Sequence, residues 1–220
     1  MTTTTTKSNV GFSILELLLA MTIMLVLMGI VSSLLAGALS IRARESQKTD
    51  ALSAAQAALN SLSRDIANAG FGIYSGSNSR LASNGVVAAD SNANQIHVRS
   101  NIENVGPVGG TTVLSTNQPG EDITYFFDAV TKSIVRYDPN DTPQTAGLVN
   151  KISSVTFAYY DYSGASSTGT LVTTPTNNTG RVQITVTVQL DPVNGQPNPS
   201  SVTFTSDVTL RNSSYMLNQY

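Results

Sequence analysis

Leu17 to Ile41 is a run of 25 residues without a charged side chain, and no other feature of the chain restricts its fold so strongly. Wound as a helix at ~1.5 Å per residue, it extends about 37 Å. That is enough to cross a hydrocarbon core of about 30 Å. One acid, Glu16, stands at its start in Gly11-Phe12-Ser13-Ile14-Leu15-Glu16. An ionisable group inside such a segment costs roughly 2.5–3.5 kcal/mol at a bilayer centre and less near an interface. Glu16 is therefore a candidate functional residue.

The helix pattern does not stop where the apolar run ends. Arg42, Arg44, Glu45, Lys48 and Asp50 mark an exit into water. Leu52, Ala55, Leu59, Leu62, Ile66 and Ala69 then recur at spacings of 3, 4, 3, 4 and 3, which is one stripe of an amphipathic helix. No proline occurs before Pro107, and Gly70 and Gly72 bracket Phe71 as a stop signal. The spacing predicts one helix from about Phe12 to Asn68, apolar all round in its first half and striped in its second.

Downstream the period changes to two. Val182, Ile184, Val186, Val188 and Leu190 alternate with polar residues, as do Val202, Phe204, Val208 and Leu210 with an interruption at Ser206. The intervening DPVNGQPNPS holds three prolines and a glycine, so the two runs read as an antiparallel hairpin around a loop. Ile123–Phe127 and Ile134–Tyr137 predict a second hairpin, Val155–Tyr162 another strand and Ile96–Val98 a weaker one. Val86–Ala88 and Thr112–Leu114 fit no single pattern. Segments 75–84, 101–111, 138–147 and 163–180 read as loops. A striped helix followed by antiparallel strands predicts an α+β domain whose sheet buries the stripe.

The opening of the chain resembles type IV prepilins and type II secretion pseudopilins, the type IV filament superfamily. The residues that carry the likeness are Gly11, Phe12 and Glu16 ahead of the apolar run. Leu62-Ser63-Arg64-Asp65-Ile66-Ala67-Asn68-Ala69-Gly70-Phe71-Gly72 and Asp207-Val208-Thr209-Leu210-Arg211-Asn212 are similar to segments of PilW-like minor pilins and J-type pseudopilins. The resemblance implies a pilin-like fold, a long N-terminal helix packed on an antiparallel sheet. It divides the chain into a leader (1–11), a transmembrane and filament-core helix (12–41) and a periplasmic or extracellular α+β domain (42–220). It implies that a prepilin peptidase cuts between Gly11 and Phe12 and methylates the Phe12 amine, and that Glu16 pairs with a neighbouring subunit's terminus. The implied role is structural and not enzymatic, needing no cofactor. A PilW-like minor pilin helps to initiate a pilus, near its tip, from a start in the bacterial inner membrane, with other minor pilins and the major pilin as partners. A type II secretion minor pseudopilin and a membrane-anchored adhesive domain are the alternative functions.

Competing signals are weaker. Ala36-Gly37-Ala38 has the small residues of a secretory cleavage site, but the apolar run exceeds a typical 7–15-residue signal core. Lys7 precedes the segment whereas Arg42, Arg44 and Lys48 follow it, a bias that by itself favours the reverse orientation; the more specific cleavage motif outweighs it. Formal charge is −2 and the C-terminal region lacks a basic cluster, so nucleic acid binding has no electrostatic support. The chain has no Cys and one His, which excludes a disulfide framework and a His-rich zinc site. His97 alternates with Ile96 and Val98 and is expected on an exposed strand face. Asp138, Asn140 and Asp141 are a weak candidate for Ca²⁺ by oxygen ligation, with an ordinary turn as the simpler reading. Long polar loops at 101–111, 138–147 and 163–180 are expected to choose the neighbouring subunit.

Overall fold

The computed structural model describes residues 11–73, 84–103, 116–162, 168–194 and 200–217. Helix α1 runs from Ile14 to Ala67 without a break, 54 residues, matching the expected helix within three residues at either end. It starts at Ser13, whose Oγ accepts from the Leu15 N–H at 3.3 Å, a side-chain cap for one of the free amides of the first turn. It stops where Gly70 (φ 80°) and Gly72 (φ 67°) take positive φ. A Cβ on Gly72 would stand 2.7 Å from the Asn101 carbonyl oxygen, so that position has both the dihedral and the space of glycine only.

The chain divides into two compact units. One contains α1 up to Ser46, and the other runs from Gln47 to Pro192 and from Pro199 onward. In the first unit the apolar side chains between Leu17 and Ile41 are exposed, and none of the residues in the most apolar stretch is buried. The chain thus has an N-terminal helix long and apolar enough to span a membrane. The Thr22 hydroxyl donates to the Leu19 carbonyl at 2.8 Å and that of Ser40 to Gly37 at 2.9 Å. These polar groups are satisfied inside the helix, as an apolar surrounding requires.

The second unit is α+β and holds two antiparallel sheets where one was expected. The first is a meander of β1 (Gln95–Arg99), β2 (Asp122–Asp128), β3 (Ser133–Tyr137) and β4 (Thr145–Val149), in that spatial order. The second has the order β6-β5-β7-β8, from β5 (Ile152–Asp161), β6 (Thr170–Val172), β7 (Thr179–Leu190) and β8 (Ser200–Thr209). The switch between sheets is made by Asn150-Lys151, with Lys151 at φ 62° and the Ile152 N–H returning to the Lys132 carbonyl at 2.9 Å. A 3₁₀ turn (Ala88–Asp90) precedes β1, and a short helix α2 (Ser214–Leu217) follows β8.

Both predicted hairpins form, β2 with β3 and β7 with β8. The loop readings at 138–147 and 163–180 are corrected in part, because Thr145–Gly147 enter β4, Thr170–Val172 form β6 and Thr179 opens β7. β4 (TAGLV) is exposed over its first three residues, and β6 has only three; neither carries an alternation to read. Val86 makes a single bridge to Val98. Thr112–Leu114 lie outside the described residues, as do most of 75–84 and 101–111.

The stripe on α1 is displaced from its expected line. Ala51, Ala55, Ala58, Leu62, Ile66 and Ala69 are buried, whereas Leu52 is 40% exposed and Leu59 is partly buried against the core. Ala51 and Ala58 therefore take the places expected for Leu52 and Leu59, and Ala55, Leu62, Ile66 and Ala69 are buried as expected. The alanines are covered by larger side chains from the strands, and Leu52 and Leu59 lie toward the margins of the seam. Above the seam lie Ile96 and Tyr125 of the first sheet and Phe157, Tyr159, Ile184 and Val186 of the second, all in one apolar cluster. Full burial of a leucine or isoleucine contributes about 1.5–3 kcal/mol. In a chain starting at Arg42, Leu62→Ala is expected to lower unfolding free energy by about 2–5 kcal/mol, and Leu52→Ala by no more than about 0.5 kcal/mol. Equal losses at the two sites in denaturant unfolding would put the seam elsewhere.

Candidate functional site

The Gly11–Phe12 bond precedes the helix, and both residues are exposed, Phe12 at 81%. Glu16 is in the first turn of α1 and also exposed. Its carboxylate sits at the positive end of the helix dipole, a favourable place for a negative charge. Ser13-Ile14-Leu15-Glu16 also has the spacing of a capping box, although the Ser13 hydroxyl accepts from the Leu15 N–H rather than from that of Glu16. The S-x-x-E spacing was there to be read as a start signal. The arrangement sets the Gly11–Phe12 bond about one turn ahead of a lone acid at the head of the exposed apolar half of α1.

A second assembly is built at the other end of α1. The tyrosine hydroxyl of Tyr125 on β2 donates to Asp65 Oδ2 at 2.5 Å. The Arg211 N–H donates to the Ala67 carbonyl at 3.3 Å, Asn212 Nδ2 to the Ala69 carbonyl at 3.0 Å, and the Gly70 N–H to the Arg99 carbonyl at 2.8 Å. The last carbonyls of a helix lack partners within it; here the segment after β8 supplies them. The two segments that carried the resemblance, 62–72 and 207–212, are thus in hydrogen-bond contact across the fold. Tyr125 had no signal of its own beyond its place in a strand pattern. It is fully buried, and burial first, with the adjacent Asp65 charge second, pushes its phenol well above the ordinary value of 10.0.

His97 is not on an exposed face, as expected, but is 8% exposed. Its Nδ1 meets Asp90 Oδ2 at 3.0 Å and its Nε2 meets Asp122 Oδ1. Asp122 Oδ2 takes the Arg99 Nε–H at 3.2 Å. The exposed-face reading failed because the 3₁₀ turn folds over the outward face of β1, placing Asp90 and Ser91 against it. The two carboxylates lie on opposite sides of the ring, so they cannot converge with it on one ion. The group is a clamp between the turn, β1 and β2.

Asp138, Asn140 and Asp141 come together in the β3–β4 turn. Asp138 is fully buried, its Oδ2 accepting from the Gly120 N–H at 2.6 Å and Arg136 Nη2 at 2.9 Å, its Oδ1 from the Asn140 N–H at 3.0 Å. Asp141 faces Arg136 Nη1 at 3.4 Å, and Asn140 Nδ2 donates to the Thr116 carbonyl at 3.0 Å. A guanidinium occupies the place where a cation would be drawn, and the carboxylate oxygens already have donors. Among the described residues no three His, Asp or Glu side chains are grouped to hold a metal.

Tyr125→Phe is expected to cost about 1.5–3 kcal/mol at neutral pH, since it removes a hydrogen bond to a carboxylate. A phenol raised in the folded state adds stability that is complete below the unfolded value of 10.0 and is lost as pH rises beyond it. Tyr159 is raised by burial in the same direction. Between pH 9 and 11, on the order of one unit either side of that value, the variant should lose less stability than the parent. Parallel alkaline slopes in denaturant titrations would show that Tyr125 does not carry this linkage.

Compared with protein-family models, with curated proteins and with solved structures, the chain matches none.

Proposed function

We propose that this chain is a PilW-like minor subunit of a type IV filament, a structural protein that helps to prime assembly near the filament tip. The observation that carries the reading is Glu16, a single acid at the head of an exposed apolar helix, five residues after Gly11. A lone carboxylate there has no partner of opposite charge in the apolar run that follows it. It acquires one when cleavage between Gly11 and Phe12 creates an ammonium at the same depth on a neighbouring helix. Side-by-side packing of such helices in lipid relies on close van der Waals contact, aided by small residues; Gly29, Ala36 and Gly37 supply them. The meeting of segments 62–72 and 207–212 supports the reading from the other end of the helix.

In this reading the inner membrane holds the helix before assembly, with the α+β domain outside the cytoplasm. A prepilin peptidase is the first partner, and other minor pilins and the major pilin follow. The mature protein is expected to begin at N-methylated Phe12, and Gly11→Leu to leave uncut precursor in the membrane; a native terminus at Met1 or Leu39 by mass spectrometry would refute the processing. Glu16→Ala should insert normally but enter filaments several-fold less, because an ion pair with one partner removed leaves the other charge unmet, at a cost of about 3–5 kcal/mol when buried. Equal amounts of variant and parent in sheared filaments would remove Glu16 from assembly. A type II secretion pseudopilin predicts the same processing, and the two part on whether the chain is recovered from pili or from a secretion filament.

A further inference from the structure

Of the four sheet edges, one is covered and two are short or irregular. The outer side of β1 is taken by the preceding segment, through Val87 N–H to the His97 carbonyl at 2.9 Å and Arg99 N–H to the Gly85 carbonyl at 2.7 Å. β6 has three residues, and β4 has five, on a register broken at Ile134/Val135. Short, irregular or covered edges are the usual protection against unwanted strands. β8 has none of these. It is ten residues long, contains no proline or lysine, and keeps one register with β7 from Arg181↔Thr209 to Leu190↔Ser200.

The register fixes which backbone groups are open. The Leu210 N–H donates to the Gly180 carbonyl at 2.9 Å, so the even-numbered residues of β8 face β7 and those of Ser201, Thr203, Thr205, Asp207 and Thr209 face outward. No backbone hydrogen bond among the described residues reaches that outer side. The core beneath is also unfinished there. Val186 and Val188 on β7 are buried, whereas their partners Phe204 and Val202 are only half-buried. Beside this edge a cleft of about 590 Å³ lies between α1 and β8, with Arg64, Asp207 and Arg211 in its lining. Asp207 is engaged by Arg181 at 3.4 Å and Arg64 by Asp65 at 3.1 Å. The Arg211 guanidinium has no acidic partner among the described residues.

We propose that the outer edge of β8 receives an extended, acid-bearing segment of a different protein chain, added antiparallel as a fifth strand with its carboxylate against Arg211. The proposal deepens the subunit reading above by naming the surface and the chemistry of the partner. A second copy does not fit. In a symmetric β8–β8 pairing Arg211 would lie beside the other copy's Ser200 end, and residues 192–206 contain no acid. An isologous pair would also close on itself rather than extend an assembly. Strand addition draws affinity from main-chain hydrogen bonds and selectivity from alternate side chains; here those are apolar residues over Val202 and Phe204 and one carboxylate.

The test uses the full chain in detergent micelles and a synthetic peptide, acetyl-Glu-Val-Thr-Val-Thr-Val-Thr-Val-amide, with a Lys-for-Glu counterpart. The Glu peptide should slow amide exchange at Thr203, Thr205 and Asp207. It should bind about fivefold more tightly than the Lys peptide, the scale of one exposed ion pair gained or reversed. Thr205→Pro removes an outward N–H, which an edge strand tolerates, together with a 3.5 Å hydroxyl contact to Thr185, and should abolish the slowing. Should that variant misfold, Arg211→Glu carries the test, because it should reverse the preference between the peptides. Unchanged exchange on β8, equal affinity for both peptides, or protection appearing on β4 instead would overturn the proposal. None of these readouts depends on cleavage at Phe12, so failure here is separable from failure of the filament assignment.

Discussion

Burial of one face of α1, from Ala51 to Ala69, in a single apolar cluster with the strands is the constraint on which the second unit depends. An alanine seam has little apolar area of its own. Most of the area in the cluster it shares comes from large side chains on the strands, Tyr125, Phe157, Tyr159 and Ile184 among them. Larger residues at these positions would force the helix outward, and overpacking of this kind typically costs about 1–3 kcal/mol. Toward the end of the helix the seam widens to Leu62 and Ile66, which are both fully buried, and the core is deepest there.

That deep end is also where polar groups are joined. Asp65, Ala67, Ala69 and Gly70 contact, in turn, β2, the segment after β8 and β1. Both sheets are therefore tied to the same turn and a half of helix. Under the proposed function this has a mechanical use. A helix packed among its neighbours in a filament transmits load to its own domain, and the load is received by hydrogen bonds to two sheets rather than by apolar contact alone. The first half of the helix has the opposite character. The Thr22 and Ser40 hydroxyls there bond back onto the helix, and its apolar surface offers neighbours shape and van der Waals contact.

The charged side chains of the second unit mostly hold turns in place. Arg136 gathers Asp138 and Asp141, His97 lies between Asp90 and Asp122, and Asp161 accepts from the Thr176 and Thr179 hydroxyls at 2.5 Å each. A buried carboxylate without a donor would be costly, and each of these has at least one. Charges bound in this way leave few for recognition, which is why Arg211 stands out next to an open strand edge.

The 54-residue helix, its exposed apolar half and the two hairpins were legible in the sequence, because each rests on a periodicity carried by contiguous residues. The Gly11-Phe12…Glu16 arrangement was picked out by resemblance and not by periodicity. Which line of the amphipathic half faces the core was not. Ala51 and Leu52 are adjacent, either continues a spacing of three or four, and only the shape of the strands above chose the smaller residue. The division into two sheets turned on Lys151 at φ 62° and on pairing partners far away in the chain, and β4 and β6 exist through those partners rather than through a pattern of their own. His97 looked exposed because a strand's alternation says which side a residue faces and not what folds over that side. Sequence by itself determined the long helix, its apolar half and the two hairpins, since local spacing decides which surface an element must hide. Tertiary structure alone decided the seam, the sheet partition, the joint at the helix end and the one open edge, since these depend on contacts between residues that no local pattern brings together.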